Sequence, residues 1–403
     1  MFCASFLLTD GRPARLSLRA DSTSFAVDET DVSCYDLSGR PYVLVRDGFT
    51  YRRALDGRVL QKRRDTVSPR VRRWLLPAEA APVVEASRRE ALQLLATLEE
   101  PGRLPVREHP EAESRLRRIA ATDAGALADD SRRFADAYGR VGILPPDQYL
   151  ALVVQATEGC SWNACTFCDF YRGSPFRVKG DAEFDRHLAM VRDYFGESLP
   201  LRRGLFLGAA NALCAPPARV VSWLAAAGRV FPEAAGAGIS AFVDVWTGIR
   251  RRVAQWAEYA RLGLRRVYVG LESGDPELLA FLHKPGSPGD AETLVATLHE
   301  AGLAVGMIVL LGVGGERFFD SHVGLTSETL SRLGLGPQDV LYLSDFVAEP
   351  NLEYTRLAAA PDLEALGPER CLDQREAILS SYQPADSMRP PHVASYDIRE
   401  FAY

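Results

Sequence analysis

Three cysteines fall within nine positions of one another: Cys160, Cys165 and Cys168, in the stretch EGCSWNACTFC that starts at Glu158. Thiolates at such spacing wrap either a zinc ion or an iron–sulfur cluster, and the two alternatives need different ligand counts. A structural zinc site closes with four ligands, usually two close pairs, but Cys214 and Cys371 stand alone and no second Cys-x-x-Cys follows. Three thiolates on one loop leave one iron of a four-iron cluster without a protein ligand. That open position is what a catalytic metal centre requires. The total of seven cysteines is odd, and the opening MFCASFLLTDGR has no basic leader. Reduced thiols and a cytoplasmic location are the resulting expectation.

The elements around this loop define where it sits. From about residue 146 the sequence alternates apolar runs with helical spacing, and the runs at 150–157, 204–208, 238–245, 265–271, 304–312 and 339–346 read as strands. Helical periodicity falls between them, at 182–195, 216–230, 249–262, 289–302 and 320–333, with a further helix at 369–381. Continuous apolar strands joined by crossover helices make a parallel sheet covered on its faces. Six such units, with no Gly-x-Gly-x-x-Gly turn, predict an α/β fold of partial (β/α)6 TIM-barrel type rather than a dinucleotide fold. In such barrels the chemistry sits at the carboxyl ends of the strands. The cysteine loop follows the first strand, and the segments 208–211, 270–274 and 312–316 follow later ones.

Four regions are expected. Residues 1–64, with short apolar runs separated by DGR, SGRP and DGF turns, form a small β-rich unit. Residues 65–145 are helical and are broken by a linker, EEPGRLPVREHP. Residues 146–346 form the barrel, and 347–403 form an extension ending in a strand that is either tied to a core or closes over the barrel mouth. The chain has 403 residues, 47% of them apolar, with a net charge of −6, so a large core is available and a strongly basic nucleic-acid binder is excluded. No apolar stretch approaches the ~20 residues of a membrane span. One local exception is basic: between Arg52 and Arg73 nine arginines and lysines face two aspartates. The run reads either as a solvated face or as a handle for RNA, a phosphate or an acidic redox protein.

The segment from about 148 to 346 resembles the radical S-adenosylmethionine superfamily. The resemblance rests on Cys160, Cys165 and Cys168, on Phe167, and on FLGAANAL (206–213), VGLESG (269–274) and VLLGVGGE (309–316) in that order. One departure is that four residues, not the commoner three, separate the first two cysteines, which implies a changed loop path. The resemblance implies a six-stranded partial barrel, a [4Fe-4S] cluster on the three cysteines, and S-adenosylmethionine chelated to its open iron. It further implies that Gly208 and Asn211 meet the methionine amino group and that Ser240 lies near the ribose or carboxylate. Glu272 would meet the ribose hydroxyls or the ammonium, and Gly312, Gly314 and Gly315 would form a backbone wall for the adenine beside Phe167. Lys284, His322 and Cys214 are weaker catalytic candidates.

The expected activity is reductive cleavage of S-adenosylmethionine to a 5′-deoxyadenosyl radical that takes hydrogen from a small molecule or peptide. A flavodoxin- or ferredoxin-type protein would donate the electron. The reaction class stays open among oxidoreductase, transferase and lyase. RNA modification is the alternative within the superfamily, and an iron–sulfur electron carrier or structural zinc protein is the alternative outside it.

Overall fold

The computed structural model describes residues 2–28, 30–63, 72–99, 110–208 and 210–403. The predicted linker at 99–110, Arg64 and Arg70 of the basic run, and Ala209 lie wholly or mostly outside them. Contacts divide the chain into two units: Met1–Gly139 with Ala189–Arg203 and Arg399–Tyr403, and Arg140–Leu188 with Gly204–Ile398.

The first unit is an antiparallel meander of β1 (Phe2–Leu7), β2 (Pro13–Leu18), β3 (Ser22–Val27), β4 (Asp31–Asp36), β5 (Pro41–Arg46), β6 (Phe49–Arg53), β7 (Val59–Arg63) and β8 (Arg72–Trp74), each paired with the next. Tight turns make this possible. Asp47 and Gly48 both take positive φ, at 50° and 76°, as a two-residue hairpin loop with the right twist demands. The sequence does not mark β4, β6 or β8 well, because DVSCYD, FTYRR and RRW are polar at alternate positions or too short. The expected separate helical region is instead part of this unit. Ala91, Leu94, Leu95 and Leu98 recur on one face of the helix Pro77–Glu99 and pack against Leu16, Phe25 and Tyr35 of the sheet.

Most of the basic run is paired within this unit. Arg53 meets Asp130 at 3.2 Å, Arg58 meets Asp56 at 2.7 Å, Lys62 and Arg72 both hold Glu400, and Arg73 holds Glu79 at 2.8 Å.

The second unit is built on a parallel sheet in the order β17-β16-β15-β14-β13-β12-β9. Its strands are β9 (Leu152–Gln155), β12 (Leu205–Gly208), β13 (Ile239–Val243), β14 (Leu264–Glu272), β15 (Ala304–Leu311), β16 (Val340–Asp345) and β17 (His392–Ser395). A short hairpin of β10 (Thr157–Glu158) and β11 (Arg177–Val178) interrupts the crossover from β9 to β12. The six predicted strands are present, and β17 is a seventh that pairs parallel with β16. The segment expected as a terminal extension therefore belongs, up to Ile398, to this unit, and its strand β17 to the sheet.

The helices bury the stripes that their periodicity marks. In Pro217–Val230 these are Val220, Trp223, Leu224 and Ala227, and in Pro288–Glu300 they are Ala291, Leu294, Val295 and Leu298. The latter starts at a Ser287–Asp290 capping box. Each such leucine contributes roughly 1.5–3 kcal/mol by leaving water.

Alternation along the strands sends one set of side chains inward. Phe206, Phe242, Tyr268, Tyr342 and Tyr396 form a run of rings with centroids 5.1–6.4 Å apart. Asp147, from the segment preceding β9, accepts hydrogen bonds from the hydroxyls of Tyr268 (2.6 Å) and Tyr342 (2.7 Å), and Tyr396 donates to the Leu144 carbonyl at 2.8 Å. The strand-17 end of the sheet is thus tied to the segment that leads into β9. Gly306, opposite Tyr268 in the register, leaves the room that this ring occupies.

A Cβ on Gly306 would overlap the Tyr268 ring, so Gly306→Ala is expected to cost about 1–3 kcal/mol by overpacking. Gly228 lies in a helix with open space around it, and Gly228→Ala should instead gain roughly 0.5–1 kcal/mol. Urea unfolding of the two variants checks the opposite signs.

Candidate functional site

The three cysteines sit on the loop between β10 and β11, whose neck is closed by Arg177 donating to Glu158 at 2.8 Å. Gly159 takes φ 69°, and a side chain there would run into the carbonyls of Ser174 and Pro175. The loop has almost no regular structure of its own, so its path depends on side-chain and backbone bonds to neighbours. The Trp162 indole donates to the His283 carbonyl at 2.8 Å, the Thr166 N–H donates to the Leu282 carbonyl at 3.0 Å, and the Thr166 carbonyl accepts from the Tyr354 N–H at 2.9 Å. The four-residue spacing between the first two cysteines is taken up at Asn163. This residue adopts φ 50°, bonds the Tyr171 carbonyl through its amide, and directs its N–H to Cys160 Sγ at 3.4 Å.

All three thiols line a cavity at the carboxyl ends of the strands, about 1060 Å³ with its opening to solvent included. Most of its wall is apolar, with Phe167, Phe242, Leu310, Phe346, Tyr396 and Ile398 contributing. The charged lining comes from Asp244, Glu272, Lys284 and Asp345.

Glu272 and Lys284 form an ion pair at 3.0 Å, with side chains only 9% and 11% exposed. The pairing needs local backbone accommodation. Strand 14 shifts register against β15 between Gly270 and Glu272, Glu272 takes φ 62°, and a side chain on Gly270 would occupy the space of the pair. Burial alone would lower the Lys284 ammonium, but the Glu272 carboxylate, then Cys165 and Asp244, hold it above the ordinary lysine range.

The thiols respond to the same environment. Burial pushes Cys165 up to about 12 and Cys168 to about 11, against the opposing pull of Lys284 on both. Thiols so placed give up their protons readily only to a bound cation. Among the described residues no three His, Cys, Asp or Glu side chains converge on a point that one ion would fill. A cluster several ångströms across takes its thiolates farther apart than a single zinc does. The donor set, three sulfurs on one loop facing a cavity, fits such a cluster with one position left for another ligand.

The other residues singled out by sequence divide into two groups. Phe167, Glu272 and Lys284 line the cavity with the cysteines, and so does Ala210, next to Asn211. Gly208 ends β12, buried, with Val153 and Phe206 the nearest side chains to the place a Cβ would take. Asn211 donates to Asp244 at 2.6 Å and to Thr247 at 2.9 Å, and its Oδ1 is buried without a partner. Ser240 is buried two residues below Phe242 on the inward face of β13 and does not line the cavity.

Two expectations are corrected, and a third residue is placed more closely. The glycines of 312–315 press against the protein itself. Gly312 is bonded by Gln374 and crowded by Cys371, Gly314 is bonded by the Tyr354 hydroxyl, and Gly315 abuts the carbonyls of Asp362 and Glu364. His322 faces neither solvent nor the cavity. It is fully buried, with Nε2 at 3.0 Å from the Leu310 carbonyl and Nδ1 at 2.7 Å from Ser273 Oγ and 3.1 Å from Thr326 Oγ1. Cys214 is not among the residues of the cavity wall, but it lies beside the thiol loop, its thiol against the Ser161 side chain next to Cys160. It sits on a turn that the Arg251 guanidinium clamps through the Leu213 and Ala215 carbonyls, and burial raises its thiol to about 11 against the opposing pull of Ser161.

Asp244, Phe346 and Tyr396 were not anticipated. Asp244, in FVDV, shares with the others its position at the carboxyl end of a strand, which was a readable signal. For Tyr396 the signal was limited to the expected terminal strand, since its place in the wall depends on β17 pairing with β16.

Residues 154–322 match the family model described as the Radical SAM superfamily. Among solved structures, a radical S-adenosylmethionine methyltransferase, TsrM, from Kitasatospora setae is similar at 15% identity over 60% of this chain and 53% of that one, with a TM-score of 0.43. Coproporphyrinogen III oxidase (HemN) from Escherichia coli is similar at 15% identity over 61% and 54%, with a TM-score of 0.42. Methylornithine synthase (PylB) is similar at 14% over 58% and 63%, with a TM-score of 0.40. The chain thus spans between about half and two thirds of the length of these structures, and at such scores they carry no argument here. No protein of curated function matches the sequence.

Burial holds His322 down to about 4 from an ordinary 6.5. Its folded state therefore binds fewer protons than the unfolded chain below pH 6.5, so the stability it confers is complete above that pH and is lost as pH falls toward 4. Between pH 6.5 and 5 the loss should reach about 2 kcal/mol, and His322→Asn should flatten that slope in denaturant unfolding. Lys284→Met, which strands the buried Glu272 carboxylate, is expected to cost about 3–5 kcal/mol. Adding Glu272→Gln should recover part of that loss in the same measurement.

Proposed function

We propose that the chain, whose residues 154–322 match the Radical SAM superfamily model, is an enzyme of that superfamily, which uses a [4Fe-4S] cluster and S-adenosylmethionine, and that it cleaves the cofactor reductively to abstract hydrogen from a small molecule or a peptide. The observation that carries the reading is the convergence of Cys160, Cys165 and Cys168 on one cavity beside a buried Glu272–Lys284 pair. Held by Cys160, Cys165 and Cys168, a bound and reduced cluster would supply the single electron for homolytic cleavage of the sulfonium–5′ carbon bond, which is the chemistry that hydrogen abstraction from a substrate would draw on.

The chain's own residues bind, orient and exclude water. Cys160, Cys165 and Cys168 are the proposed cluster ligands. Glu272 and Lys284 offer a carboxylate and an ammonium together, the complement of the ammonium and carboxylate of a methionine end. Asp244, held by Asn211, adds a second acceptor at the same wall. Asn211 Oδ1, buried without a partner of its own, is the proposed acceptor for the methionine ammonium. Phe167, Phe242, Leu310 and Phe346 form an apolar wall that shields a reactive fragment from water. Tyr396 and Ile398 extend that wall from the segment just after the last strand.

The apolar lining favours a substrate held by shape with few polar anchors. The RNA alternative loses its motive, because the basic run that suggested it is largely neutralised by its own carboxylates.

Anaerobic reconstitution of purified protein should yield about four irons per chain, as a four-iron cluster requires, and on reduction with S-adenosylmethionine should release 5′-deoxyadenosine. Cys160→Ala, Cys165→Ala and Cys168→Ala should each lose the cluster absorbance and the nucleoside, while Cys214→Ala and Cys371→Ala keep both. Zinc in place of iron, or methylthioadenosine as the nucleoside, would overturn the reading.

A further inference from the structure

On the side of the thiol loop that faces water lies a small aromatic and basic patch with no part in the cavity. Trp162, two residues after Cys160, is 41% exposed, and Ile249, at 37%, is also open to solvent. The Trp162 ring packs edge-on against Trp246 at 5.9 Å, and the Arg250 guanidinium stacks over Trp246 at 4.9 Å. Arg250 and Arg252 are both exposed. The patch is rigid where it matters, since the Trp162 indole is bonded to the His283 carbonyl, so these side chains hold one arrangement.

Exposed aromatics beside arginines are the composition of a binding hot spot, and Trp and Arg are over-represented there. On a chain of net charge −6, a local pair of arginines attracts an acidic partner to one place while the net negative charge disfavours its approach elsewhere.

We propose that Trp162, Trp246, Ile249, Arg250 and Arg252 form the docking surface for an acidic one-electron carrier protein. The inference rests on the proposed reading of the site, which requires an electron from outside. Transfer rates fall steeply with distance, so the carrier must approach the thiol loop closely. Trp162 belongs to that loop, between Cys160 and Cys165, and is its most water-exposed large side chain. The carrier is oxidised by one electron and the group held by the three thiols is reduced by one; no bond is made or broken at the patch. The Trp162–Trp246 pair supplies the apolar centre and the arginines the charged rim.

The test titrates the reconstituted holoenzyme with oxidised flavodoxin and, separately, with an oxidised [2Fe-2S] ferredoxin, reading Kd by calorimetry at low and high salt. At least one carrier should bind and should weaken as salt rises. Arg250→Glu with Arg252→Glu should weaken binding at least tenfold and slow reduction by that carrier in stopped flow, while reduction by dithionite is unchanged. The same change of charge made on the helices of the antiparallel-sheet unit, Arg117→Glu with Arg132→Glu, should leave Kd within twofold. Failure of both carriers to bind, an unchanged Kd in the Arg250/Arg252 variant, or an equal loss in the Arg117/Arg132 variant overturns the proposal. If dithionite-reduced enzyme releases no nucleoside while carrier binding still depends on Arg250 and Arg252, the catalytic reading falls and the docking surface stands.

Discussion

Two hydrogen bonds, from the Trp162 indole to the His283 carbonyl and from the Thr166 N–H to the Leu282 carbonyl, join the thiol loop to the segment that carries Lys284. A loop of this length with so little internal pairing cannot hold three sulfurs in place through its own backbone, because its ordering entropy must be offset by contacts made elsewhere. These bonds make the position of the sulfurs a property of the barrel. They also explain why the Lys284 ammonium and the Cys165 thiol influence each other.

The same economy of space governs the mouth. Glu272 sits in a conformation that side-chain-bearing residues seldom adopt, at the point where β14 loses register with β15. Gly270 is small enough to leave the ion pair its volume. Strain of this kind persists only where its surroundings hold it, and here the partner ammonium is buried with it. Below the mouth, the ring of aromatics and the Asp147 acceptor fill the barrel interior, so the cavity has a floor and opens at the strand ends.

Glycine-rich turns proved the least dependable guide. GVGGE follows a strand as a ligand-binding turn would, yet its glycines are needed because Cys371, Leu366 and the 362–364 carbonyls come close on the protein side. A requirement for no side chain looks the same in sequence whether a ligand or another part of the chain makes the approach. His322 presents the same ambiguity: its helical position was readable, but the burial that keeps it neutral comes from Ser273, Thr326 and Leu310, which are remote or silent in pattern.

What the sequence determined by itself is local in origin: periodicity marked six of the parallel strands and the helices between them, and the spacing of Cys160, Cys165 and Cys168 marked the thiol loop. Adjacent residues impose those features, through strand alternation, helical repeat and the reach of a short loop. Tertiary structure alone decided that Lys284 turns onto Glu272, that β17 adds a seventh strand and brings Tyr396 to the wall, and that the arginines of the basic run meet carboxylates. Arg53 meets Asp130 and Lys62 meets Glu400 across tens to hundreds of positions, Lys284 reaches Glu272 across a helix, and β17 is a strand too short and polar to announce its partner; no local pattern records such meetings.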